Sequence, residues 1–140
     1  MTTRTLTTLL IAAGLLHLAV TSAGLVMTLV LDWRRNLACL SALTRHIVWT
    51  HAAFVLMTIV AFGLVSLLCA ADLASGTPLA RATCAFIALF WGVRLLTQFF
   101  LFDAKPHLTS VPLKFGYHGL TVVFAYFTFT YAWAAVAGGL

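Results

Sequence analysis

The sequence predicts an all-α, polytopic integral membrane protein, a bundle of four transmembrane helices. Three observations lead there. Hydrophobic residues make up 63% of the 140-residue chain and charged residues 8%, against about 45–50% and about 25% in soluble domains. So few charges cannot cover a water-facing surface, and the mean hydropathy of +1.08 agrees. The apolar residues gather into four runs, over about 6–31, 47–71, 82–102 and 115–137, each close to the ~20 residues that cross a ~30 Å hydrocarbon core as helix. None shows the ~10-residue alternation of barrel strands, and backbone groups in lipid must be satisfied internally, which leaves helices. The length suits a single four-helix transmembrane domain over residues 1–140.

The first run reads as a retained helix. Its apolar stretch exceeds the ~7–15 residues of a signal-peptide core, and Asp32-Trp33-Arg34-Arg35 is not a cleavage site. Membrane helices pack through small and polar residues, so those residues at a spacing of three and four mark the inward faces. In the first span they are Gly14, His17, Thr21, Gly24 and Thr28. The following "NLACLSALTRH" is expected to form a brief interfacial helix. The second span gives His51, Val55 and Thr58, with Gly63 and Ser66 slightly off the line, and "DLASGTP" turns the chain. The third gives Cys84, Ile87, Trp91, Arg94 and Gln98. In "DAKPHLTSVPLK", Pro106 and Pro112 keep the loop from continuing either neighbouring helix. The fourth span gives Lys114, His118, Thr121, Ala125, Thr128 and Ala132.

The net charge of +5 comes mostly from basic residues between apolar runs. Anchoring at anionic headgroups explains them, and no basic patch with interleaved aromatics points to nucleic acid. Arg34, Arg35, Arg45, Lys105 and Lys114 lie in the first and third loops, with Arg4 and Arg81 on the opposite side. The positive-inside rule puts both termini outside the cytoplasm, as expected of an integral protein of a bacterial inner membrane. Trp33, Trp49, Tyr117 and Trp133 fall near the expected interfaces. Cys39, Cys69 and Cys84 are odd in number and form no C-x-x-C pair. That excludes a complete disulfide framework and chemistry through a cysteine pair, and leaves packing roles.

The intramembrane ionisable residues His17, His51, Arg94 and His118 all fall on inward seams. Such residues are costly in lipid and mark function or an internal partner. From the ~1.5 Å rise per residue, His51 and His118 should sit at nearly equal depth, roughly 5–7 Å in from the cytoplasmic side. Arg94 should lie roughly 12 Å deep, with Gln98 one turn nearer the surface and His17 close to the midplane. His46, Asp103 and His107 would stand at the mouth of this half of the bundle.

The sharpest expectation is a b-type haem in a small membrane electron-transfer subunit. His51 and His118 would be its axial metal ligands, from two helices. Arg45, Arg94 and Lys114 would be near the propionates, with Phe54, Trp91, Phe99 and Tyr117 as an aromatic cage. The cofactor-binding set is then His51, His118, Arg94, Gln98, Trp91 and His17, although His17 lacks a partner ligand at its depth. A quinone could use the same pocket, taking hydrogen bonds from histidine and arginine. "AGLLH" places Ala13 four residues before His17 and resembles the A-x-x-x-H of light-harvesting polypeptides, which would imply a (bacterio)chlorophyll ligand. The chain has no glutamate and no H-E-x-x-H helix, which argues against di-iron and zinc hydrolytic sites. No serine nucleophile with a paired base and no glycine-rich phosphate loop is visible. The plainer alternatives are an Arg94 that snorkels to pair with Asp103, histidines bonded only to backbone or water, and a non-redox structural, assembly or lipid-binding subunit. A channel or transporter finds no broken helix or internal repeat. Expected partners are the lipid bilayer and either further copies of the chain or a larger membrane complex.

Overall fold

A computed structural model describes residues 3–100 and 111–137. Its helices are α1 (Thr3–Val30), α2 (Trp33–Asn36), α3 (Ala42–Leu68), α4 (Ala70–Ala74), α5 (Pro78–Phe100) and α6 (Val111–Ala137). Four of them, α1, α3, α5 and α6, are long and apolar enough to cross a membrane. No strand occurs among the described residues. The expected all-α four-span bundle is what the chain forms.

Local chemistry sets the helix ends. Asp32 turns the chain out of α1 in the left-handed region, at φ 44°, and the Asn36 side-chain amide donates to the Leu31 carbonyl at 2.7 Å. Ser41 caps α3, its hydroxyl accepting from the Thr44 N–H at 3.2 Å. The expected interfacial helix is therefore divided. Only the four residues Trp33–Asn36 form a separate turn, and residues 42–46 are the first turn of α3. Between α3 and α5 the chain forms the short α4 and then turns at Gly76, whose φ of 73° suits a residue without a Cβ. Thr77 caps α5 by accepting from the Ala80 N–H at 3.3 Å, and Pro78 opens it. Pro112 lies in the first turn of α6, where the missing N–H has no intrahelical partner. Asp103, Lys105, Pro106 and His107 lie outside the described residues.

Helices α1 and α3 form one hairpin and α5 and α6 another; α1 also packs on α6, and α4 sits against α1 and α5. The core is concentrated in the half that holds the start of α1, the end of α3, the start of α5 and the end of α6. There Leu6, Leu10, Ala13, His17, Phe62, Ser66, Cys84, Ile87, Trp91, Phe127, Tyr131 and Ala134 are buried. In the opposite half, nearer the α1–α3 connection, no side chain is buried in α1 after His17, in α3 before Phe62 or in α6 between Lys114 and Val123. Gln98 is the one buried side chain of α5 beyond Trp91 among the described residues. A pair of glycines accounts for the close packing. A Cβ on Gly63 would stand 3.0 Å from the His17 Cβ and 3.3 Å from the Gly14 carbonyl, and one on Gly14 would stand 2.6 Å from Leu67 Cγ. Glycine at both positions lets the two backbones approach.

The inward faces match the expected seams unevenly. In α5, Cys84, Ile87, Trp91 and Gln98 are buried as expected, whereas Arg94 is exposed. In α3 the residues set slightly off the line, Gly63 and Ser66, are the buried ones, together with Phe62. In α6 the seam differs. Phe124, Phe127, Thr130, Tyr131 and Ala134 face the core, while His118 is exposed and Thr121, Ala125, Thr128 and Ala132 are half-buried.

Candidate functional site

Among the described residues, the side chains of His17 and Ser66 are buried polar groups at 0% exposure, and His17 is the larger. It lies near the middle of α1. Its Nδ1–H donates to the Ala13 carbonyl one turn back, at 2.7 Å. That bond fixes the tautomer, because a carbonyl can only accept. Nε2 is then the acceptor, and the Trp91 indole N–H donates to it at 3.0 Å. Both ring nitrogens are thereby engaged, which leaves none for a metal.

Aromatic rings enclose this histidine. Phe127 stacks on it, with centroids 4.0 Å apart and planes 25° apart. Phe62, Trp91 and Tyr131 meet it edge-on at 6.1, 5.4 and 5.9 Å. Trp91 in turn stacks on Phe124 at 4.9 Å. Beside the cluster, the hydroxyls of Ser66 and Tyr131 hydrogen-bond across α3 and α6. The junction thus draws one or more side chains from each of the four long helices. Tyr126 adds a further tie, its hydroxyl donating to the Leu9 carbonyl at 2.8 Å. No buried side-chain nitrogen or oxygen among the described residues lacks a partner. In lipid such interhelical bonds hold helices that the hydrophobic effect does not.

The other residues singled out by the sequence lie in the open half. His51 and His118 are both exposed. The His51 Nδ1–H donates to the Ile47 carbonyl at 3.0 Å. The His118 ring meets Tyr117 edge-on at 5.5 Å. Arg94 sets its guanidinium over the Phe124 ring, 5.1 Å from the centroid, a cation–π contact that ties the open half to the buried junction. Gln98 donates through its amide nitrogen to the Thr121 hydroxyl, joining α5 to α6. Trp91 belongs to the His17 junction. No group of three or more histidine, cysteine or acidic side chains able to hold a metal occurs among the described residues. The structure therefore brings Arg94, Trp91 and His17 into one connected cluster and leaves His51 and His118 outside it.

Sequence reasoning missed Phe62, Phe127 and Tyr131 as partners of His17. The available signal was the aromatic stripe Phe124, Phe127 and Tyr131, spaced by three and four along one face of α6.

Fold and junction together define a four-span α-helical membrane protein whose long helices meet around a buried histidine in an aromatic box. Comparisons with protein-family models, curated proteins and solved structures each found no match.

Proposed function

We propose that the chain is a small integral membrane subunit that binds a b-type haem in the open half of its bundle and serves membrane electron transfer. His51 and His118 would hold its iron, which would supply the one-electron chemistry. The observation that carries this proposal is the state of the His51 ring. Its Nδ1–H is held by the Ile47 carbonyl at 3.0 Å, which leaves Nε2 as an unprotonated donor of its lone pair. Metal-bound histidines are oriented in this way, by a backbone acceptor on the other nitrogen. His17 shares the tautomer, but Trp91 occupies its Nε2, so it stays outside the ligand set. Support also comes from the scarcity of buried side chains in this half, since a macrocycle needs volume that packed side chains would fill. Arg94, on α5, is the cation for a propionate or for a quinone carbonyl. By the positive-inside rule this half faces the cytoplasm.

The test is a spectrum of the purified protein in detergent, oxidised and then reduced. A Soret band is expected, lost in His51→Ala and in His118→Ala and retained in His17→Gln. Absence of the band both as isolated and after haem addition overturns the proposal.

One observation favours a second function, a non-redox structural or assembly subunit. Helix α3 buries no side chain against the rest of the chain before Phe62, a face that another membrane subunit would cover. That function gains if the two histidine variants leave every bound chromophore and the host complex unaltered, and loses if either variant abolishes a chromophore.

A further inference from the structure

The turn between α1 and α3 gathers more positive charge than its fold uses. Arg34 and Arg35 are exposed on α2, and Arg45 is half-exposed in the first turns of α3. Among the described residues, none hydrogen-bonds or ion-pairs with these three guanidinium groups. Asp32, the one carboxylate between residues 31 and 50, serves the turn through its backbone, its carbonyl accepting from the Arg35 and Asn36 N–H groups at 3.0 Å.

The three arginines stand on two helices that an aromatic pair joins. Trp33 on α2 and Trp49 on α3 meet with ring centroids 5.9 Å apart, which ties the short helix to the long one. Arg45 lies one turn before Trp49, on the same face of α3, and Arg34 and Arg35 directly follow Trp33. The Asn36–Leu31 hydrogen bond at 2.7 Å fixes the turn that carries α2. This assembly sits at one end of two membrane-spanning helices. Indole rings there favour the headgroup region. Guanidinium is the side chain that matches a phosphate oxygen pair with two parallel donors.

We propose that this corner is a binding site for an anionic phospholipid. The guanidinium groups of Arg34, Arg35 and Arg45 take the phosphodiester, and the Trp33–Trp49 pair packs on the glycerol region. The site stands on the turn geometry and is independent of the haem proposal.

The test reconstitutes the full chain into phosphatidylcholine vesicles with a minor share of phosphatidylglycerol, extracts it gently and identifies the retained lipid by native mass spectrometry. Phosphatidylglycerol is expected to be enriched several-fold over its bulk share. The enrichment should fall to the bulk share in the triple variant Arg34→Gln/Arg35→Gln/Arg45→Gln and drop in Trp33→Ala. It should persist in Arg4→Gln, at the other end of α1. Circular dichroism checks that each variant keeps its helices, and Arg45→Gln alone, expected to lower the enrichment, stands in if the triple variant does not fold. No enrichment in the wild type overturns the proposal, as does enrichment that survives loss of the three arginines. Displacement of the lipid by millimolar inorganic phosphate also overturns it, since the site would then serve a soluble anion.

Discussion

At the scale of the residue, His17 is the group whose replacement discriminates best between packing and hydrogen bonding. His17→Leu keeps much of the volume but orphans the buried Trp91 N–H, a loss of about 1–3 kcal/mol. His17→Gln retains an acceptor, so its loss should be nearer the ~0.6 kcal/mol typical of one interhelical bond in a membrane. Unfolding titrations in mixed detergent would read the difference, and equal stability of the two variants would refute the Trp91 bond as its source. Tyr131→Phe should be mild, also about 0.6 kcal/mol, although Tyr131 is fully buried. Ser66, left alone, can turn its hydroxyl to the Phe62 carbonyl one turn back. The same back-bonding explains what the sequence concealed. His17, Trp91 and Gln98 were legible as inward-facing because the second imidazole nitrogen, the indole N–H and the amide keep polar atoms that an apolar helix does not satisfy. Thr121 and Thr128 do satisfy theirs, donating to Tyr117 and Phe124 at 2.9 and 2.8 Å. Their spacing therefore reported nothing about the buried face of α6, and the aromatic stripe beside them carried it. His51 bonds back to its own helix as His17 does, but α3 buries no side chain before Phe62, so its seam position did not make it buried.

At the scale of the element, the glycines divide into two kinds. Gly63 touches the neighbouring helix, and a Cβ there meets the His17 Cβ and the Gly14 carbonyl, neither of which is the end of a flexible chain. Gly63→Val should separate α1 from α3, displace His17 from Trp91 and destabilise by about 1–3 kcal/mol, as overpacking does. Gly24 has only Leu56 Cδ1 at 3.8 Å, and Gly119 has nothing within 4 Å. Gly24→Ala and Gly119→Ala should be neutral or stabilising by up to about 1 kcal/mol, through the helix propensity of alanine over glycine. The unfolding titration that ranks the His17 variants ranks these as well, and a Gly63→Val protein as stable as wild type would remove the close crossing from the account. The four spans themselves were legible because length and composition decide them. The placement of α4 was not, since a five-residue helix carries too short a pattern to read.

At the scale of the whole molecule, the chain is two antiparallel hairpins joined in one half. The joining interactions are specific: His17 to Trp91, Ser66 to Tyr131 and Tyr126 to the Leu9 carbonyl, supported by Phe62 against Phe86 and Phe90 at 5.9 and 5.2 Å. They lie in the half that also carries the connection between α3 and α5, so cutting that connection separates what the contacts contribute from what covalent continuity contributes. Cutting the chain between Ser75 and Gly76 interrupts an exposed turn and leaves α4 on the first fragment, where it still reaches α1 and α5. Co-expressed in one membrane, fragments 1–75 and 76–140 should assemble and co-purify through a tag on either one. In lipid the hydrophobic effect does not favour association, so the assembly must come from packing and the buried polar contacts. His17→Leu should therefore lower the recovery of the second fragment, while His51→Ala should not. Loss of 1 kcal/mol changes an association constant about five-fold, so the His17→Leu deficit should be visible at limiting expression. Independent recovery of each fragment without its partner would show that the junction is too weak to hold the hairpins together.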